Sequence, residues 1–395
     1  MKMRIDRIKD LCVSISDGDH LAPPKAGEGI PFITISDIDE YNQVDFSDCM
    51  YVPKSYFDKI DIKRRPQKSD ILYTVVGSFG IPVLISDDKN FCFQRHIAIL
   101  KPDKNVVDGK YLYYLMKSRY FYALADAYAV GAAQRTISLT SLRRMKVETL
   151  DVDKQPRVGE VLHSYDKLII KNREVIKLLE CIIETVFKHL CSGKNATEIV
   201  RLRDIGFDFD RGLSYSSDEI DCDDGIDLIN LKNIKSFGGF RFDGTKHFNG
   251  RYKPNQVVSN GDLVMGVTDM TQDRRTVGSV ALIPRLHNKS VISADLIKVK
   301  SDLDNVFVYS MFRYGNISRH VAQFANGANV LHLKPKSILK VKISLPEDKS
   351  IKRFVKIAKP LISQIDILNE QNAVLSHQRD MLLPRLMTGK MEVKV

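Results

Sequence analysis

The stretch VGEVLHSYDKLIIKNREVIKLLECIIETVFKHL, residues 158–190, decides the fold: it reads as one long helix, and the chain carries it twice. Apolar residues return every seven positions at Leu162, Ile169, Ile176, Ile183 and Leu190, and a second column at Tyr165, Leu179 and Val186 is broken only by Asn172. Such a face is a seam for another helix. Adding 196 to these numbers reaches a second heptad segment, where Leu361, Leu368, Leu375 and Leu382 fill the column that Asn172 breaks. Asn372 stands where its counterpart Ile176 is apolar. Both segments close alike, CSGK at 191–194 answering MTGK at 387–390, and Gly193 and Gly389 suit helix C-terminal caps, where a positive φ costs glycine little.

The offset of 196 extends beyond the helices. Ile38 of TISDI falls on Ile234 of NLKNI, Tyr113 of LYYLM on Tyr309 of VYSMF, and Gly131 of VGAAQRTISL on Gly327 of NGANVLHLKP. One register held through strand-like, helix-like and loop-like stretches points to an internal duplication, with hardly any drift expected: globular unit, long helix, globular unit, long helix. The boundaries expected are 1–152, 153–194, 195–346 and 347–395.

Within the first unit IPFITISDI, ILYTVV and HIAILKP are β-branched runs bounded by Gly, Pro and Asp, which predicts strands. A helix is expected over about 109–126, then a glycine-containing loop and ISLTSLRRMKVETL. The second unit repeats that order with DLINLKNI, GDLVMGV, SVALIP, ADLIKVK and VFVYSMFRYGNISRHVAQF. The fold class expected is therefore α/β (α+β): two pseudo-symmetric mixed units separated by two long helices.

With 395 residues, 44% of them hydrophobic, the chain has material for two or three domains with real cores. The first residues, MKMRIDRIKDLC, lack an apolar signal core and no run reaches the length of a membrane span, so a cytoplasmic protein without a membrane partner is expected. Cys12, Cys49, Cys92, Cys181, Cys191 and Cys222 form no CxxC pair and read as idle thiols. The net charge of +11 points to a polyanionic partner. Compact clusters carry it: Lys63, Arg64 and Arg65; Arg143 and Arg144; Asp273, Arg274 and Arg275. Any single cluster reads first as a solvated surface, and it is their occurrence in both copies that adds weight.

Chemistry of its own is missing from the sequence. No GxxxxGK[ST] phosphate loop occurs, no strand runs into a glycine-rich cofactor turn, and no Asn-Pro-Pro-Tyr-type base-holding motif is present. His20, His96, His163, His189, His247 and His332 lack metal-ligand spacing, and CDDG at 222–225 reads as a solvated turn. No catalytic or metal residue is assigned. A binding protein is expected.

Four stretches of the first unit, DGDHLAPPKAGEGIPFITISDI (17–38), TVVGSFG (74–80), QRHIAILKP (94–102) and GAAQRTISLTSLRRMKV (131–147), resemble the first target-recognition domain of type I restriction-modification specificity subunits. GDLVMGVTDMTQDRRTVGS (261–279), ADLIKV and the closing LLPRLMTGKMEV are similar to that family's second half, so the resemblance covers essentially the whole chain. It implies a non-catalytic subunit that reads a two-part sequence of double-stranded DNA. Its two long helices would pack as an antiparallel coiled coil, and two methyltransferase subunits and then restriction subunits would dock on it. S-adenosylmethionine, ATP and Mg²⁺ would belong to those partners, with no cofactor in this chain. Helix length agrees: about 33 residues rise roughly 50 Å, more than the 34 Å or so of one DNA turn. The recognition loops differ between copies, so an asymmetric site is expected. A stand-alone DNA-modifying enzyme would instead show turnover by the purified chain, and a protein–protein adaptor would show no DNA binding.

The DNA-binding candidates in the first unit are Lys63, Arg64, Thr74, Ser78, Arg95, Gln134 and Arg135. In the second they are Arg241, Lys246, Thr268, Asp269, Thr271, Gln272, Arg274 and Asn329. Arg and Gln lead because they make bidentate contacts to guanine and adenine. Val161, Leu168, Val175, Ile182, Val355, Ile362 and Leu383 lie outside the main seam and are the candidate partner-binding residues, with packing on the globular units as the competing explanation.

Overall fold

The computed structural model describes residues 3–393 other than 21, 133, 193–195, 221–224 and 243. The Gly193 cap and the acidic run at 222–224 lie outside the described residues, whereas Gly389 has the expected left-handed φ of 67°. The chain forms two compact units, residues 1–169 with 374–395 and residues 170–373, so each unit takes a globular part together with a portion of both long helices. Among the described residues no helix is long and apolar enough to cross a membrane.

The first long helix is Gln155–Cys191. It starts before the heptads do, because Pro156 falls in the first turn, where its missing N–H costs nothing. Buried Gln155 ties this start down: its carbonyl accepts the Asp108 N–H at 2.9 Å and its amide donates to the Leu150 carbonyl at 2.8 Å. The second long helix, Asp348–Met387, runs through Pro360 and Pro384 without a break. An interior proline costs about 3 kcal/mol; just before Pro360, Phe354 and Ala358, one turn apart on the same face, are fully buried in the core.

In the first unit a four-stranded antiparallel sheet runs in the order Cys12–Asp17, Ile97–Pro102, Ile71–Thr74, Pro82–Leu84. A three-stranded sheet of Met50–Val52, Ile30–Ile33 and Cys92–Phe93 packs through Ile33 and Phe93 on the Leu72, Ile97 and Ile99 face of it, and Met3–Arg7 pairs with Lys146–Leu150. The helix expected over 109–126 is two helices, Gly109–Lys117 and Arg119–Tyr128. Ser118 divides them: it is extended at ψ 148°, and its hydroxyl donates to the Leu115 carbonyl and accepts the Phe121 N–H. Tyr111 to Met116 are all buried, and Val158, Leu162, Leu383, Leu386 and Met387 of the long helices complete the same core. Asp166 and Arg379, one on each long helix, form an ion pair there.

The second unit repeats the plan, with the sheet order Asp208–Arg211, Leu296–Lys300, Leu263–Gly266, Val280–Leu282. Ala196–Arg201 pairs with Lys342–Pro346, and Asn305–Tyr314 lies where Gly109–Lys117 lies in the first copy. Phe187 meets Phe354 at 5.5 Å and Asn172 meets Asn372, so the long helices run antiparallel within this unit. The seam is as read: Ile169, Ile176 and Ile183 are buried.

The register is less constant than expected. By strand pairing Ile71 matches Leu263, an offset of 192; Leu84 matches Leu282, at 198; Ala98 matches Ile297, at 199. It is back at 196 where the helices Gly109–Lys117 and Asn305–Tyr314 begin. The largest jump is in one hairpin connection, residues 75–81 in the first copy and 267–279 in the second. Surface connections take such insertions because doubling a loop costs only about 0.6 kcal/mol.

Candidate nucleic-acid interface

The same pair of loops meets in both units. In the first, Val75 donates to the His96 carbonyl at 2.9 Å and accepts from the Ile137 N–H at 3.0 Å. In the second, Val267 donates to the Asp295 carbonyl at 2.9 Å and accepts from the Leu333 N–H at 2.8 Å. These bonds fix the hairpin connection against a second loop, residues 130–136 or 326–332, which is itself closed by a bridge between Val130 and Thr136 or between Asn326 and His332. The result is a ridge of two braced loops, built on the rigid end of a four-stranded sheet.

In the first ridge Ser78 and Gln134 are exposed and adjacent, since the Gly77 N–H donates to the Arg135 carbonyl at 3.2 Å. Gly77 and Gly80 have φ of 76° and 89°, which the tight connection requires. A Cβ at Gly80 would fall 2.8 Å from the Tyr122 ring, so the loop lies directly on that aromatic. Thr74 is fully buried and is not a surface donor; its hydroxyl accepts the Ile81 N–H at 2.8 Å and closes the loop. Arg135 is half-buried, its guanidinium donating to the Asp126 carboxylate at 2.9 Å and to the Asp126 carbonyl at 2.6 Å. Arg95 is exposed beside the hairpin. Lys63 and Arg64 lie apart, against the outer strand Cys12–Asp17, with Arg64 3.5 Å from Asp17. Arg65 of the same cluster is spent on the Ile60 and Asp58 carbonyls, and Arg143 of the next on the Ile15 carbonyl.

The second ridge is longer and differently braced. Thr268 and Asp269 are buried and pair as a short strand with Leu331 and His332. Thr268 donates its hydroxyl to Asp295 at 2.8 Å. Asp269 accepts four bonds, from the Thr271 N–H at 2.9 Å and hydroxyl at 2.8 Å, and from the Thr276 and Val277 N–H groups at 2.7 and 3.3 Å. Burial would raise this carboxyl, yet those donors outweigh it and bring its pKa down to about 2. Thr268 and Asp269 are therefore the buried platform of the loop. Thr271, Gln272 and Asn329 are exposed above it, and Gln272 braces the ridge by donating to the Ala328 carbonyl at 3.0 Å. Arg274 is half-buried with φ 55°. Arg241 and Lys246 sit elsewhere, at the strand Lys246–Phe248 and the turn before it.

The candidate partner-binding residues separate into two sets. Leu168, Val175 and Ile182 are 48%, 43% and 47% exposed. Leu383 is buried in the first core, Val161 packs against it, and Val355 and Ile362 pack against the second core, as the competing explanation requires. Sequence reading missed Tyr122 and Met270, which the ridges hold next to the recognition candidates; an aromatic four residues after a helix-capping serine and a methionine inside a polar loop were the available signals.

Comparison with known proteins gives three results. Residues 3–180 match the family model described as the type I restriction modification DNA specificity domain. The chain is similar over 99% of its length to 94% of the type I restriction enzyme MjaX specificity subunit of Methanocaldococcus jannaschii, at 24% identity, and over 83% of its length to 88% of the HindI specificity subunit of Haemophilus influenzae, at 19% identity. Its fold matches the crystal structure of the type I restriction-modification system S subunit from M. genitalium with a TM-score of 0.60, covering 98% of this chain and 96% of that one at 16% identity. Residues 3–180 thus match the type I restriction modification DNA specificity domain, and the chain as a whole, two copies of one α/β unit joined by long heptad helices, is similar in sequence to curated type I specificity subunits and in fold to an S subunit of such a system.

Proposed function

We propose that the chain reads a bipartite, asymmetric site in double-stranded DNA, one half-site per unit, and is the non-catalytic scaffold for two methyltransferase subunits and for restriction subunits. The observation that carries this reading is the two-loop ridge, present once in each unit on the same hydrogen-bonded base but with different exposed side chains. Repetition of the base supports two equivalent DNA contacts. The difference between Ser78 and Gln134 on one ridge and Thr271, Gln272 and Asn329 on the other supports two different half-sites. Lys63, Arg64, Arg241 and Lys246, away from the ridges, fit the role of phosphate contacts, which hold register without reading sequence.

The chemistry belongs to the partners in this reading, with S-adenosylmethionine on the methyltransferase subunits and ATP and Mg²⁺ on the restriction subunits. The two long helices would set the number of unread base pairs between half-sites. The test is binding of duplex DNA by the full-length chain co-expressed with its methyltransferase subunits, with the target taken from the methylated positions of the host genome. Expected are specific binding, a log–log salt slope of roughly 0.9 per phosphate neutralised, and no methyl transfer by the chain alone. Salt-insensitive binding, or turnover by the purified chain, would overturn the reading.

A further inference from the structure

Met270 is 79% exposed, the highest value for any large apolar side chain among the described residues. Singly exposed apolar residues are ordinary on a protein surface, but this one is presented in an unusual way. The residues before it, Thr268 and Asp269, are locked in a two-stranded ladder, and Thr271 after it is bound through both its N–H and its hydroxyl to the buried Asp269 carboxylate. A charged group has been buried and four donors committed to it, and what that arrangement holds in place is the backbone on both sides of Met270. The side chain itself packs on nothing that accounts for it.

The insertion that lengthens this connection makes room for the segment; residues 75–81 hold no large exposed apolar side chain, and the exposed apolar residue of the first ridge, Val130, lies on the other loop. Around Met270 the ridge is polar: Thr271, Gln272 and Asn329 are exposed and Arg274 is half-buried. An apolar group among hydrogen-bonding groups matches one feature of the major groove. There each base pair displays donors and acceptors, and thymine alone adds a methyl group, which apolar side chains read by contact. Methionine, unbranched and polarizable, adapts to such a target better than a β-branched residue does.

We propose that Met270 reads a thymine 5-methyl group in the half-site taken by the second unit. The inference rests on the DNA-reading role proposed above and adds a base and an atom to it. Gln272 and Asn329 then supply the hydrogen-bonding contacts beside it, and the Asp269 carboxylate is a positioning group that never touches DNA.

The experiment uses the full-length chain with its methyltransferase subunits and duplexes in which each thymine of the target is replaced in turn by deoxyuridine, which lacks only that methyl. For the wild type, one replacement should weaken binding about fourfold, the ratio expected for one buried group of methylene size. In Met270→Ala the affinity for the unmodified duplex should fall by at least as much, and the same deoxyuridine replacement should then have no further effect. Met270→Leu should retain the response. Three results would overturn the proposal: a target without thymine in the half-site concerned, wild-type binding indifferent to every replacement, or an equal response in Met270→Ala. In each of them specific duplex binding survives, whereas failure of the DNA-reading role would abolish specific binding altogether.

Discussion

The side-chain amide of Asn172 donates to the side-chain oxygen of Asn372 at 3.0 Å, joining the two long helices of the second unit through a polar layer in an otherwise apolar seam. The same Asn172 amide also lies 3.5 Å from the Gln371 side-chain oxygen, so the second helix supplies two acceptors to it. Replacing Asn172 alone by Leu should destabilise the chain by about 1–3 kcal/mol, since Asn372 is left facing an apolar neighbour. Leu at both positions should recover that stability while loosening the register, the property a buried polar pair specifies in helix seams. Urea unfolding of the single and double variants checks this; a single variant as stable as the wild type would rule it out.

In the first unit Asp166 is held by Arg379, by Lys117 at 3.0 Å and by the Tyr114 hydroxyl at 2.7 Å. Burial pushes the Asp166 carboxyl up, but the two cations outweigh it and leave it below the usual carboxylate range. Breaking the pair with Arg379→Met should cost about 3 kcal/mol, the lower end of what removing one partner of a buried ion pair costs. Because the folded pKa lies below the unfolded one, the stabilisation is fully present above about pH 4 and is lost as the pH falls through the folded value. The difference in melting temperature between wild type and Arg379→Met should therefore narrow under acid conditions.

Asp366 behaves in the opposite sense. It lines a cavity of the second unit with Glu180, Lys235, Tyr309, Arg313 and Asn369, and burial raises its pKa to about 6. The folded state thus holds its proton where the unfolded chain has lost it, and stability declines as the pH rises from about 4 to the folded value. Asp366→Asn should remove this penalty, gaining at most about 3 kcal/mol above pH 7 and nothing near pH 4. Calorimetric melting of both proteins at the two pH values is the measurement; a gain of equal size at both would show that charge is not its source.

Val175 and Ile182, exposed on the first long helix within the second unit, are the residues through which a methyltransferase subunit is expected to dock. Burying either side chain against a partner is worth about 1.5–3 kcal/mol. Val175→Asp and Ile182→Asp should therefore each lower recovery of the methyltransferase by tenfold or more while the circular dichroism spectrum stays native. Undiminished recovery in a folded variant would move the docking site away from this face.

The heptads, the duplication and the strand runs were legible in the sequence because each depends on a local period: seven for the seam, two for the strands, and one long repeat for the units. The break at Ser118 was not legible, since a serine continues a helix or caps the next one according to what its hydroxyl meets. The register slip at 75–81 and 267–279 was hidden because the offsets of 192 before it and 198 to 199 after it lie between stretches, around Ile38 and Tyr113, that both stand at 196. Thr74, Thr268 and Asp269 read as surface polar residues of the recognition loops, whereas the fold buries them beneath the loops they brace. Asn172 and Asn372 show the division most plainly. The sequence marked each as a polar break opposite an apolar repeat mate; only antiparallel packing, which the period does not encode, brings the two breaks together.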